Sequence, residues 1–319
     1  MVPGWIAGQY SRDEGKVDVA ALAERAGAQF VLGNCTAIEP EARRVRMAGG
    51  QAVEFDLASI DTGGVGRARD VLGDDPRLLD IRPIDRFVER LENSPPAQRI
   101  AVIGGGAGGV ELAFTLRNRS ATQPEVTLVT GASGLLPDMS RRVRNLTTKR
   151  LKEQGIELLK QGACFDAGDL KAGNRTLHAE LVVAALGSGA PDWPRAGGLA
   201  VNEVGFIAVD RYQRSTSHPH IFAVGDVAHR TDREVPHSGV HAVFAGPKLA
   251  ANLRSALAGD EPEAIYRPRW NNLYLMSTGN GGAIASYGPF AAQGRWVARL
   301  KHWIDKRWID KYAALAHSV

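Results

Sequence analysis

The sequence predicts an α/β protein organised around a parallel sheet, and three observations carry that prediction. From residue 99 onward apolar strands alternate with helical stretches, the order a parallel sheet requires because each crossover needs a connecting element. A glycine-rich turn joins the first of these strands to the first helix, in the run Ile100-Ala101-Val102-Ile103-Gly104-Gly105-Gly106-Ala107-Gly108-Gly109-Val110-Glu111. More than a hundred residues later, Ile221-Phe222-Ala223-Val224 runs straight into Gly225-Asp226, an apolar strand that ends on a carboxylate.

Along the chain, Met1 to Tyr10 has a Pro-Gly turn and two aromatics but no strand and no cap, and reads as a loop. Val17 to Ala26 has helical spacing, with Val19, Leu22 and Ala26 on one face. Gln29 to Leu32 is a strand candidate. Residues 43–47 and 51–55 flank Gly49-Gly50 as a hairpin, and Leu57 to Ile60 reads as a short buried strand before Asp61-Thr62-Gly63-Gly64. Ile84 to Leu91 is a helix, and Ser94-Pro95-Pro96 breaks the chain before the glycine loop. The alternation that follows is strand 99–103, helix 107–119, strand 125–130, helix 138–153, strand 155–159 and an apolar strand from Glu180 to Leu186. Ser238 to Leu257 is a long Ala-rich helix. Leu273–Ser277 and Ala283–Ser286 form a strand pair, and Gly294 to Tyr312 is a Trp-rich basic helix.

The glycines at Gly104, Gly106 and Gly109 have the G-x-G-x-x-G spacing, and each has a physical task. One makes the sharp turn, one lets the backbone approach a pyrophosphate, and one lets the helix pack closely on its strand. The helix N-terminus then offers free N–H groups and a positive dipole end to the phosphates. In such sites the residue about 20 positions on, at the end of the second strand, binds the ribose 2′-hydroxyl through a carboxylate when NAD is preferred. Here that residue is the neutral Thr130; Arg141 and Arg142 beyond it could reach a phosphate, although they suit a solvated helix face better, so the sequence leaves NADH and NADPH both open. The Gly225-Asp226 carboxylate is placed to accept hydrogen bonds from a polyol, as a flavin ribityl chain requires.

Composition narrows the class. The 319 residues are 44% hydrophobic, enough for about two cored domains. A net charge of +4 from 39 basic and 35 acidic residues points to no nucleic-acid partner. Cys35 and Cys164 stand far apart and form no CxxC, so no dithiol redox centre or zinc site is expected, and reduced thiols point to a cytoplasmic setting. Five of the eight histidines fall between His218 and His241, but their spacing fits no compact metal set.

Taken together these motifs resemble the pyridine nucleotide-disulfide oxidoreductase superfamily, over essentially the whole chain. The resemblance implies two nested Rossmann-like, three-layer dinucleotide-binding domains with a small α+β C-terminal region. Residues 1–96 would be the first part of an FAD-binding domain, 97–190 an inserted NAD(P)-binding domain, 191–258 the FAD-domain return, and 259–319 the C-terminal region. Thr62 and Gly63 match the first crossover and Gly187 the crossover back. Gly225 and Asp226 match the flavin-ribityl motif, and His237 and Ser238 the start of a helix whose dipole favours negative charge on a reduced flavin. Gly104, Gly106, Gly109, Glu111 and Thr130 would hold the nicotinamide dinucleotide.

Within the superfamily the chain resembles the disulfide-free type II NADH dehydrogenase-like branch, and most of all the module associated with selenide, water dikinase. The segments that carry this are Met1–Gly8, Arg82–Phe87 and Ser277-Thr278-Gly279 with Ala283–Ser286. It implies FAD and NAD(P)H as cofactors and transfer of hydride from NAD(P)H to flavin, then to a quinone or other small acceptor. Alternatives are a redox module of selenium metabolism and a truncated nucleotide-binding protein without activity. Two departures stand out. The strand, G-x-G-x-x-G loop and helix that relatives place before the Met-Val-Pro-Gly segment are not in this sequence, so the FAD domain is expected to be incomplete at its N-terminus. Phe244-Ala245 stands where relatives carry Arg-Gln, and no catalytic side chain is assigned.

The C-terminal helix brings Trp296, Leu300, Trp303, Ile304, Trp308 and Tyr312 near one face among six Lys and Arg residues. That pattern suits peripheral contact through 294–312 with the inner face of a membrane. It equally suits packing on its own domain or on a second copy in a homodimer.

Overall fold

A computed structural model describes residues 2–11, 13–119 and 123–317. They divide into two compact units. The first comprises the described parts of Met1–Phe30, Gly66–Gly187 and Asn271–Val319, and the second Val31–Val65 and Ser188–Trp270. Residues 1–30 and 66–96, assigned from sequence to the first FAD-domain segment, and most of the C-terminal region therefore pack in the same unit as the glycine loop.

The first unit is a three-layer α/β structure on a five-stranded parallel sheet. Its strand order is Leu78–Asp80, Leu181–Ala184, Arg99–Ile103, Glu125–Val129 and Glu157–Leu159. Successive side chains of a strand point to opposite faces, and in the central strands both faces are covered, so residues 100–103 and Leu181–Ala184 are apolar at every position. Ile100, Val102, Val126, Leu128, Leu181 and Val183 enter one core, under the glycine-loop helix Ala107–Arg117 and the helices Ile84–Asn93 and Arg141–Glu153. Ala101, Ile103, Val129, Val182 and Ala184 enter the other, with Leu72 of the helix Ala68–Leu72 and Leu170 of a small antiparallel sheet over 163–177. A second antiparallel sheet (Leu273–Ser277, Ala283–Tyr287, Phe290–Gly294) adds Met276 and Ile284 to the first core. The C-terminal helix Arg295–His317 follows it and buries Val297 and Ile309.

The second unit holds an antiparallel sheet of Cys35–Glu39, Arg44–Met47 and Ala52–Glu54, and two parallel pairs. Ile221–Ala223 pairs with Ala58–Ile60, and Ile207–Val209 with Ala228–Arg230. Ile38, Ile60, Leu199, Ile207, Val209, Ile221, Ala223 and Val227 form its core. Phe222, Val224 and Tyr266 pack against Ala245 and Leu249 of the helix Gly239–Leu257.

Several local expectations change. Val2–Ile6 is a helix rather than a loop, while Met1 lies outside the described residues. Pro3 sits in its first turn, where a missing N–H costs nothing, and Gly8 (φ +69°) ends it. Gln29–Leu32 is not a strand. It finds no pairing partner among the described residues and leaves Phe30 and Leu32 exposed. The short strand over 58–60 is not buried throughout, since Ser59 is exposed. The helix expected from 138 starts at Arg141, because Ser140 caps it by accepting from the Val143 N–H. The C-terminal helix runs on to His317.

Candidate functional site

The glycine loop fixes its geometry through close approach. Gly104 has φ +139°, and a Cβ there would lie 2.2 Å from the Ala185 carbonyl oxygen. A Cβ on Gly109 would lie 2.0 Å from the Gly104 oxygen, so the first turn of the helix rests directly on the loop. Gly106 is the opposite case: it is exposed, and a Cβ there would meet nothing within 4 Å. The spacing also misses a requirement. Gly105, formally a free position, leaves a Cβ only 2.2 Å from the Gly134 oxygen.

The helix N-cap is Gly106, with no side-chain cap, and the Val110 N–H is the first to bond back, to the Gly106 oxygen. The N–H groups of Ala107, Gly108 and Gly109 precede that bond and have no acceptor inside the helix. An open backbone cradle facing three such donors fits the pyrophosphate of a nicotinamide dinucleotide.

Thr130 follows the strand Glu125–Val129 and is buried, its hydroxyl donating to the Leu159 oxygen at 3.3 Å. Glu111, four residues into the helix, is held by the C-terminal part of the same unit. Its Oε1 accepts from the Ser277 N–H at 2.9 Å and lies 3.5 Å from Lys301 Nζ, which also pairs with Asp305 at 3.2 Å. Burial raises the Glu111 carboxyl above its usual range, against the pull of Lys301 and the Ser277 N–H. Burial opposes the Lys301 ammonium, but Glu111 and Asp305 outweigh it and keep the lysine charged. Lys301, 190 positions from Glu111 (301 minus 111), had no sequence signal tying it to the carboxylate.

In the second unit, the strand Ile221–Ala223 leads to Gly225 (φ +74°) and Asp226, whose Oδ2 accepts from Ser188 Oγ at 2.8 Å. Ser188 lies in the return crossover, and nothing in the sequence ties it to that carboxylate. Ser238 is the N-cap of the helix Gly239–Leu257, but its buried Oγ makes no hydrogen bond among the described residues. Gly225, Asp226, Pro236, His237, Ser238 and His241 line a pocket of about 40 Å³. An orphaned hydroxyl, a carboxylate and an uncapped helix N-terminus facing one pocket fit the polar edge of a flavin and its polyol.

His237 packs edge-on against Phe206 at 4.2 Å, with Nε2 3.1 Å from the Ala228 oxygen. His241 bonds Tyr266 Oη at 2.7 Å, and burial lowers its pKa. Thr62 is exposed, and Gly63 (φ +71°) turns the chain toward Val65, which forms an antiparallel bridge with Gly189. Gly187, at the end of the first unit's second segment, is exposed with φ +79°. Of the other clustered histidines, His218 pairs with Glu41 and His220 with the Pro40 carbonyl. Among the described residues no three His, Cys, Asp or Glu side chains gather as a metal set.

A parallel sheet whose glycine turn opens onto free helix N–H groups defines a dinucleotide-binding protein. The family model described as pyridine nucleotide-disulphide oxidoreductase matches residues 6–246, more than half of the chain, and the protein belongs to that family. It is an oxidoreductase that uses FAD and NAD(P)H.

Among similar proteins, the ferroptosis suppressor protein 1 of Xenopus tropicalis is 23% identical over 81% of this chain and 71% of its own. The dihydrolipoyl dehydrogenase of Vibrio parahaemolyticus is 25% identical over 77% of this chain, which spans 54% of that enzyme. The sulfide:quinone oxidoreductase of Aquifex aeolicus shares the fold with a TM-score of 0.76 at 17% identity, covering 98% of this chain and 82% of that one. The water-forming NADH oxidase of Lactobacillus brevis gives 0.75 at 22%, covering 90% and 66%.

Proposed function

We propose that this protein is a type II-like NAD(P)H dehydrogenase that passes electrons from the nicotinamide through FAD to a quinone, without a redox disulfide. The nested order is part of the reading: 97–190 holds the nicotinamide dinucleotide between two FAD-domain segments, and the bridge between Val65 and Gly189, one on each crossover, supports it. The bound flavin supplies the two-electron chemistry. Gly106 and the N–H groups of Ala107 to Gly109 bind the pyrophosphate. Asp226 and Ser238 orient the flavin's polar side, and the uncapped helix start at Gly239 favours negative charge beside it.

The observation that carries the acceptor is the cysteine inventory. Cys35 and Cys164 are both free and lie in different units, so no dithiol can relay electrons to a disulfide substrate. The test is NAD(P)H oxidation by the flavin-loaded protein with a short-chain quinone or with lipoamide. Turnover with the quinone and none with lipoamide is expected, and the reverse would sink the reading.

The surface of the C-terminal helix supports peripheral membrane contact. Trp296, Trp303, Ile304 and Trp308 are exposed, and the Arg307 guanidinium lies 5.3 Å over the Trp303 ring. Trp and Arg on one exposed face suit the boundary between lipid headgroups and acyl chains. No helix of the described residues is long and apolar enough to cross a membrane.

A further inference from the structure

We infer that the nucleotide site of the first unit is built for the 2′-phosphorylated coenzyme, NADP(H). This rests on the assignment of the Gly104–Gly109 loop to the nicotinamide dinucleotide and goes beyond it by naming the form bound.

At the strand end where an NAD site presents a carboxylate to the ribose 2′-hydroxyl, this chain presents none. Thr130 stands there with its hydroxyl turned back onto the Leu159 oxygen. The next seven residues, Gly131 to Pro137, carry no charge, and Asp138 is the first acid to follow. Glu157, on the neighbouring strand, is occupied by Arg175 at 2.6 Å.

Three cations flank this strand end in the chain, Lys160 directly after the neighbouring strand and Arg141 and Arg142 on the helix that follows. Thr130 N–H donates to the Leu159 oxygen and Gly131 N–H to the Gln161 oxygen, which sets Lys160 beside the end of the Thr130 strand. Lys160 is exposed and has no ion pair among the described residues. Arg141 and Arg142 open the helix behind Ser140, are exposed, and likewise have no described ion pair. That first turn has no acidic residue, although the positive end of a helix dipole favours one. Two arginines and a helix N-terminus therefore add potential of one sign, which an anion would offset. The segment between strand and helix is fixed to the cradle, since the Leu136 N–H donates to the Gly105 oxygen at 2.7 Å and Gly134 abuts Gly105. The chain that leads from Thr130 to Arg141 and Arg142 is thus anchored on the cradle. A 2′-phosphate, with charge near −2 and three acceptor oxygens, is the part of the coenzyme that such a group recognises.

The test needs neither flavin nor turnover: calorimetric binding of 2′,5′-ADP and of 5′-AMP to the whole chain. The expected result is 2′,5′-ADP binding at least about tenfold tighter, with the difference shrinking in high salt. In a Lys160→Ala/Arg141→Ala/Arg142→Ala variant the preference should fall below about threefold while 5′-AMP binding is unchanged. The retained 5′-AMP binding reports that the variant is folded. Equal affinity for the two nucleotides, or tighter 5′-AMP binding, overturns the inference and leaves the nucleotide site standing. A preference that survives the triple variant overturns the assignment to these cations. Binding of neither nucleotide overturns the site itself and the inference with it.

Discussion

Gly106 and Gly109 sit three positions apart in one motif, yet their substitution should have opposite consequences. A methyl on Gly109 meets the Gly104 backbone oxygen, which cannot move aside without breaking the turn. Gly109→Ala should cost about 1–3 kcal/mol of stability and abolish nucleotide binding. A methyl on Gly106 meets no atom of the protein, and the backbone there has an ordinary φ of −74°. Gly106→Ala should leave the melting temperature within about 2 °C of wild type while weakening NAD(P)H binding at least about tenfold, because the methyl fills the approach path of the pyrophosphate. Melting curves and titrations on the two variants check this, and equal melting temperatures would refute it. His241 gives a second residue-level expectation. Burial depresses its pKa below the ordinary histidine value, so as the pH falls through that range the unfolded chain binds more protons than the folded one. Stability should therefore fall as pH drops from about 7 toward 5, and less steeply in His241→Gln, as thermal melts across that range would show.

The C-terminal helix shows how one element carries two faces. Val297 and Ile309 are buried, and Lys301 reaches inward to Glu111, so one stripe is committed to the fold. Trp296 and Trp303 are more than half exposed and lie outside that stripe. Trp296→Ala/Trp303→Ala should thus leave stability within about 0.5 kcal/mol but sharply reduce sedimentation with anionic vesicles. Binding of the wild type should weaken with salt, since the basic residues contribute through a screened attraction. Unchanged sedimentation of the double variant would remove the membrane reading. Ser140 illustrates the same scale for a helix start. The periodic pattern placed the start near Asp138, but the hydroxyl that captures the Val143 N–H decides where helical geometry begins.

For the whole molecule, the disulfide-free reading makes a simple statement about cysteine. Neither Cys35 nor Cys164 lies near a partner thiol, so Cys35→Ser/Cys164→Ser should keep NAD(P)H–quinone activity within about twofold of wild type. A loss of more than that in steady-state assays would implicate a thiol. The parallel sheet, its alternation of strand and helix, and the glycine turn were all legible because they rest on local rules. Continuous apolar strands mark a sheet covered on both sides, and a glycine spacing encodes a backbone path. What was not legible depends on pairing over distance. Gln29–Leu32 has the composition of a strand but no neighbour to bond with. Ser188 reaches Asp226, and Lys301 reaches Glu111, across intervals that no periodicity spans.

The amino-acid sequence by itself determined the fold class and the dinucleotide loop, because each follows from residues adjacent in the chain. The tertiary structure alone decided which groups meet: Glu111 with Lys301, Asp226 with Ser188, and the strand end at Thr130 with the backbone of Leu159 and Gln161. The physical reason is that burial, charge pairing and desolvation act through space, and the chain fixes distances in space only once its strands have paired and its cores have closed.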